Sequence, residues 1–245
     1  MAKYAVIIPA AGKGERFGGS ENKIFAKLDG RPIFLRTLEL FINREDVCQT
    51  VLVVSGGDMT EMKSRYGANL GFMGVQIAEG GARRFDSVRG ALAAVREDAE
   101  FIAVHDAVRP CVRSDLVDAV FAEAAKTGAA ILATPLHGTI KRVSESGVVD
   151  ATVPRENLFE AQTPQVFRRD LLDNAYASAP EDAQGITDDA LLVERMGHPV
   201  SVVKSDPSNL KITAREDIAL ANAILKARPA AKPVRKLGAF EEAQW

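Results

Sequence analysis

Apolar runs rich in β-branched residues recur along the chain at Tyr4–Ile8, Thr50–Val54, Val75–Ala78, Phe101–Val104, Ala129–Thr134 and Val200–Val203. Between most of them lie helical patterns. Val88, Ala91, Leu92 and Val95 follow i, i+3, i+4, i+7 spacing after a capping Asp86 or Ser87, and Val117, Val120, Phe121 and Ala124 do the same between Ser114 and Gly128. Strands that alternate with helices imply βαβ units. Because the apolar runs are continuous rather than alternating, both faces of their sheet must be covered, which predicts a three-layer α/β/α fold with a mostly parallel sheet. Thr213 to Glu216 fits a capping box, and Leu220, Ala223, Ile224 and Ala227 make the stripe of a closing helix. The chain therefore reads as a single domain over 1–227, followed by a loose tail at 228–245 that carries Pro229, Pro233 and scattered charges.

One segment departs from this pattern. Thr139–Val143 and Val148–Thr152 flank Ser144-Glu145-Ser146-Gly147, which predicts a β-hairpin at about 136–156 inserted into the helix-connected sheet. An isolated hairpin is marginal in water, so it must either fold back over its own domain or embrace a second subunit. Pro135 and Pro154 at its bounds, and Val and Ile side chains that need cover, favour an arm that makes a homodimer.

The 245 residues are 47% hydrophobic with a formal charge of −2, enough for one large core and with no global attraction for nucleic acid or an anionic membrane. Any anion must be held by locally gathered cations, and the substrate should be small. Cys48 and Cys111 stand far apart without CxxC or His-rich spacing, which points to reduced thiols rather than redox or zinc chemistry. The first apolar stretch stops at Pro9, and no later run reaches the length of about 18 that a membrane span needs. A soluble, cytoplasmic protein is expected.

In a parallel α/β sheet, ligands lie beyond the carboxyl ends of the strands. The first strand empties into Pro9-Ala10-Ala11-Gly12-Lys13-Gly14-Glu15-Arg16, a side-chain-poor loop with two cations, suited to backbone N–H contacts with a polyphosphate. Two better-known phosphate motifs fail here. A dinucleotide fingerprint would need glycine where Phe17 stands, and a P-loop from Gly14 would need Lys-Ser or Lys-Thr after Gly19 but meets Ser20-Glu21. Across the strand ends, the cations Lys13, Arg16, Lys23, Lys27, Arg84, Arg109, Lys141, Arg155 and Lys211 far outnumber possible nucleophiles. Such a set suits attack by a phosphate monoester on the α-phosphorus of a nucleoside triphosphate. The attacking oxygen is already an anion, so the protein must align two polyanions and stabilise developing charge rather than supply a base.

Five blocks carry a family resemblance. Pro9 to Arg16, Gly80-Gly81-Ala82-Arg83-Arg84-Phe85-Asp86-Ser87-Val88, Val104-His105-Asp106-Ala107-Val108-Arg109-Pro110, Thr163-Pro164-Gln165-Val166-Phe167 and Asn209-Leu210-Lys211-Ile212-Thr213 follow the order and approximate spacing of one family. Over about Tyr4 to Ala227 the chain resembles the 2-C-methyl-D-erythritol 4-phosphate cytidylyltransferases of the non-mevalonate isoprenoid pathway. The resemblance implies a Rossmann-like nucleotidyltransferase fold with a protruding β-arm, a homodimer formed through it, and CMP transfer from CTP with Mg²⁺ and release of pyrophosphate. Arg16 and Lys23 resemble the cations that hold the triphosphate. Pro9, Ala10, Ala11 and Gly12, with Lys13, Gly14, Gly81 and Ser87, resemble the nucleotide pocket. Asp106 resembles a carboxylate near ribose, metal and acceptor, with the Mg²⁺ held mainly by the CTP phosphates. Lys211 resembles the cation beside the reacting phosphate, Thr187 a residue of the polyol site, and Thr139 and Arg155 residues reaching in from the neighbouring subunit's arm.

The chain departs from the family pattern in two places. Asn22-Lys23-Ile24 replaces the usual Pro-Lys-Gln, which makes Lys27 a competitor of Lys23, and Arg83 stands where Glu is common. Within the same chemistry, a ribitol 5-phosphate cytidylyltransferase is the nearest alternative. Outside it stand a nucleotide-binding module without turnover and a dinucleotide oxidoreductase, the latter opposed by Phe17.

Overall fold

The computed structural model describes residues 2–12, 17, 22–180 and 185–228. In chain order the elements are β1 (Tyr4–Pro9), a 3-10 turn (Lys23–Phe25), β2 (Lys27–Leu28), β3 (Arg31–Pro32), α1 (Ile33–Leu38), β4 (Val47–Val54), α2 (Gly56–Phe72), β5 (Val75–Glu79), α3 (Arg84–Leu92), β6 (Phe101–Val104), α4 (Ser114–Thr127) and β7 (Ala129–Pro135). There follow β8 (Ile140–Val143), β9 (Val149–Val153), β10 (Phe159–Arg168), α5 (Arg169–Ala177), α6 (Asp189–Arg195), β11 (Ser201–Lys204) and α7 (Glu216–Ala227).

Seven strands form one sheet in the order β11-β7-β10-β6-β1-β4-β5. Only β10 runs against its neighbours, antiparallel to both β6 and β7, so the sheet is mostly parallel as expected. Alternate residues of β1 enter opposite layers. Tyr4, Val6 and Ile8 pack with α1, α2, α4 and α7, whereas Ala5 and Ile7 pack with α3, α5 and α6. A strand buried on both faces has no polar phase, which is why these runs are continuously apolar.

Several local expectations need correction. The helix predicted to start from Asp86 or Ser87 begins earlier, at Arg84, with Arg83 as its N-cap, so both residues lie inside its first turn. No capping box forms at α7. Instead the Asp217 carboxylate accepts from the Thr213 and Ala214 amides at 2.7 and 2.9 Å and from the Thr213 hydroxyl at 3.1 Å. Its inward stripe is Ile218, Ala221, Ile224 and Leu225, while Leu220, at 53% exposure, points outward with Ala223 and Ala227. Strand β10 was not foreseen. Its pairing with β7 shifts between Ala161 and Gln165, around Pro164, which has no N–H for the ladder.

The hairpin does form, with Ile140 opposite Val153 and Lys141 opposite Thr152. It is an outgrowth of the β7–β10 pair, since the chain leaves at Pro135 and returns at Phe159, directly opposite. Val143, Val148, Val149 and Phe159 are exposed along it. The predicted tail lies outside the described residues beyond Arg228, and among the described residues no helix is long and apolar enough to cross a membrane.

Helix α4 ends where the sequence suggests. Gly128 takes φ of +86° and its amide bonds the Ala124 carbonyl at 2.8 Å, turning the chain directly into β7. Gly128→Ala is expected to cost about 1 kcal/mol through the left-handed backbone, read as a lower urea midpoint with unchanged slope.

Candidate active site

The site is built at the carboxyl edge of the parallel strands. The Ala10 amide donates to Val53 at 2.7 Å, Gly80 to Val54 at 2.7 Å and His105 to Ile7 at 2.9 Å, so the chain leaving β1, β5 and β6 is pinned to neighbouring strands before it turns. Gly80 permits a close approach. A Cβ there would lie 2.6 Å from Ala11 Cβ and 2.8 Å from Ser87 Oγ, so only glycine lets the loop after β1 meet α3.

Between that loop and α3 opens a cleft of about 660 Å³. Pro9, Ala10, Ala11, Gly12, Gly81 and Ser87 line it, together with Lys23, Arg84, Asp106 and Lys211. A second cleft of about 520 Å³ is lined by Thr187 and Asp188 on one side and by Arg109, Gln162 and Thr163 on the other. Arg84, Asp106 and Lys211 belong to both clefts and form their common wall.

The wall is an ion cluster. Asp106 is buried, with Lys211 Nζ at 2.8 Å, Arg84 Nε at 3.3 Å and Arg109 Nε at 3.5 Å from its carboxylate. Burial alone would push its carboxyl up, but Arg84, Lys211 and Arg109 outweigh that and hold it well below the usual carboxylate range. Lys211 reaches this position because the Ile212 amide donates to Val108 at 2.9 Å, while Asn209 anchors the same segment through Gln162 at 3.0 Å and the Thr163 carbonyl at 2.9 Å. Arg109 closes the loop by donating to the Asn209 carbonyl at 2.7 Å.

Behind Asp106, the Thr163 hydroxyl accepts from the Asp106 amide and meets His105 Nδ1, both at 3.1 Å. His105 Nε2 lies 3.1 Å from the Arg109 carbonyl, which can only accept, so Nε2 carries the proton and Nδ1 accepts from Thr163. Two side chains thereby fix the backbone on both sides of Asp106.

The structure thus brings Lys23, Asp106, Lys211, Thr187 and the described part of the nucleotide set to two adjoining clefts. Thr139 and Arg155 line neither. They lie exposed on the arm, where Arg155 donates to the His137 carbonyl of its own chain. Lys13, Gly14 and Arg16 fall outside the described residues. Lys27 sits exposed on β2 and lines neither cleft. Sequence reasoning counted Arg84 and Arg109 among the cations but gave them no role, and it missed Gln165, whose side-chain carbonyl accepts from the Asp189 and Ala190 amides at 3.0 Å. The block Thr163-Pro164-Gln165 was the available signal.

A mostly parallel sheet whose carboxyl edge joins a cleft lined by small residues to a cationic wall is an arrangement suited to an α/β nucleotidyltransferase. The family model described as 2-C-methyl-D-erythritol 4-phosphate cytidylyltransferase, IspD, matches residues 4–227, and the chain belongs to that family. A cytidylyltransferase of that name from Rhodopirellula baltica is 44% identical over 91% of this chain and 95% of its own. One from Symbiobacterium thermophilum is 42% identical over 91% and 92%. Among solved structures, the Thermus thermophilus enzyme aligns with a TM-score of 0.76 at 32% identity, covering 92% of this chain and all of its own (100%). The Francisella tularensis enzyme gives 0.77 at 30% identity, covering 91% and 100%.

His105 makes a pH test. Burial pushes its imidazole down to about 4 from an ordinary 6.5. Between those values the unfolded chain binds the proton and the folded one does not, so stability should fall as pH drops through this window. Unfolding in urea is expected to lose roughly 2–3 kcal/mol between about pH 7.5 and 4.5, and His105→Asn should remove most of that slope. An equal slope in the variant would assign the loss to other groups.

Proposed function

We propose that the protein transfers CMP from CTP to 2-C-methyl-D-erythritol 4-phosphate, giving 4-diphosphocytidyl-2-C-methyl-D-erythritol and pyrophosphate. The observation that carries this reading is the wall of Arg84, Asp106 and Lys211 common to the two clefts, which supports a nucleotide and an acceptor held side by side. The first cleft holds the nucleotide, its small residues allowing backbone groups to meet the base edge and excluding a purine. Arg16, Lys13 and Lys23 hold the triphosphate. The acceptor lies in the second cleft, its polyol toward Thr187 and Asp106 and its phosphate toward Lys211.

An acceptor phosphate oxygen then attacks the α-phosphorus, forming the new P–O–P bond. The bond to the bridging oxygen of the β-phosphate breaks, and pyrophosphate leaves with that electron pair. Lys211, Arg16 and Lys23 reduce repulsion between the anions and stabilise the charge that gathers on the equatorial oxygens.

Mg²⁺ is part of this reading. Among the described residues no group of three or more His, Cys, Asp or Glu side chains stands ready to hold a metal, and Asp106 is the acidic group common to both clefts. Those residues fit an ion carried mainly by the CTP phosphates with Asp106 alongside, and such an ion would supply further neutralisation of phosphate charge.

A homodimer through the arm completes the reading. The exposed Val143, Val148, Val149 and Phe159 gain cover from a second copy, and Thr139 and Arg155 of one copy reach the acceptor phosphate of the other. Membership of the family does not favour ribitol 5-phosphate as acceptor.

Purified protein with CTP and Mg²⁺ is expected to release pyrophosphate with methylerythritol phosphate and much less with ribitol 5-phosphate. Turnover with ribitol phosphate alone would overturn the acceptor assignment. Arg155→Ala and Lys211→Ala proteins should each be nearly inactive, and mixing them with verified subunit exchange should restore part of the activity. Exchange without recovery would contradict a site made from both copies.

A further inference from the structure

Arg84 reaches Asp106 from one side, but a second carboxylate holds it from behind. Its terminal nitrogen lies 2.7 Å from Asp189 Oδ2, and Asp189, at the first turn of α6, is 0% exposed. The other Asp189 oxygen accepts from the Tyr176 hydroxyl on α5. Tyr176 in turn stacks on Phe85, the residue after Arg84, with ring centroids 5.0 Å apart.

The position of Asp189 is itself set by the sheet. Gln165 on β10 accepts from the Asp189 and Ala190 amides and donates to the Asp188 carboxylate at 2.8 Å, while Asp188 caps α6 through the Leu191 amide at 3.2 Å. The route from β10 through α6 to Arg84 is therefore continuous.

We infer that Asp189 is a positioning residue for the transfer reaction, a buried anchor that keeps Arg84 extended in the wall between the clefts so that the Asp106 carboxylate stays aligned with Lys211. Asp189 lines neither cleft, and its carboxylate reaches their common wall through Arg84. The guanidinium has two carboxylates to choose between. Divided between them, it gives Asp106 a single contact through Nε at 3.3 Å, and the other Asp106 oxygen remains with Lys211 at 2.8 Å. Without the charge on Asp189, Arg84 is free to close on Asp106 with its paired nitrogens, the geometry guanidinium and carboxylate prefer. Asp106 would then turn from Lys211, and the acceptor side of the wall would lose its arrangement.

Two features support a positioning role over simple core packing. The anchor follows directly on Thr187 and Asp188, which line the second cleft, so it belongs to the same helix start as that rim. Burial and the adjacent Asp189 push the Tyr176 phenol well above its ordinary value, so Tyr176 stays a donor throughout the working range and the anchor does not switch with pH.

The inference rests on the cytidylyl-transfer reading, and its test separates the two. Asp189→Asn is expected to lower kcat on the order of tenfold to a hundredfold while KM for CTP stays within about threefold, with Asp189→Glu recovering most of the loss. Tyr176→Phe, which keeps the charge and removes one hydrogen bond, should lower kcat only about twofold to fivefold. A crystal structure of D189N should show Arg84 withdrawn from α6 and seated on Asp106. Arg84 unmoved in that structure, or kcat unchanged in a folded D189N protein, overturns the inference. If D189N does not fold, the same comparison of kcat with KM in Tyr176→Phe and Asp189→Glu decides, and no selective effect on kcat in either overturns it. Wild-type protein that releases no pyrophosphate would defeat the transfer reading instead, and the D189N structure would still decide the anchor.

Discussion

Asp106 is a buried carboxylate whose stability depends on Lys211 and Arg84 arriving from two distant parts of the chain to join Arg109, three residues further along the same loop. Removing such a group from water costs several kcal/mol, and only well-placed partners offset that cost. Much of the fold near the site can be understood as meeting this requirement. Strand β6 carries Asp106 to the sheet edge, α3 brings Arg84, and the Ile212 amide latches Lys211 to the Val108 carbonyl. A polyanionic substrate entering either cleft meets this cluster ready-made, so little reorganisation is needed when charge shifts during reaction.

The pairing of Thr163 with His105 suggests, on its face, a different chemistry. A hydroxyl 3.1 Å from an imidazole nitrogen is the geometry of an activated nucleophile. Here both groups are buried, the hydroxyl also accepts from the Asp106 amide, and burial makes His105 a weak base. The pair is better suited to holding the turn that carries Asp106. An acceptor phosphate brings its own anionic oxygen, and nothing in the cluster has to be deprotonated for it to attack.

How much of this was legible in the sequence follows from the range of the interactions. The apolar strands announced themselves because burial on both faces removes every polar residue from Val51 to Val54 or Phe101 to Val104. The loop after β1 was legible because Ala10, Ala11 and Gly12 lack the side chains that would fill a cleft. Helix α2 left little trace, since only Met62 and Leu70 of its 17 residues are buried. Strand β10 was concealed by Thr163, Pro164 and Gln165, polar or ladder-breaking residues kept for the site rather than the core. Leu220 misled in the opposite sense, an apolar residue on the outer face of α7. The link from Arg84 to Asp189 spans 105 positions and leaves no periodic signal, so only the folded chain reveals it.

In the proposed reaction the phosphate groups react directly, aligned by cations, with no protein atom attacking phosphorus. The stereochemical course at the α-phosphorus tests this most directly. With a single diastereomer of CTP carrying sulfur on the α-phosphorus, one in-line displacement predicts a product of inverted configuration. Retention would require two displacements through a covalent nucleotidyl-enzyme, most simply on Thr163, and would rule out direct attack by the acceptor phosphate.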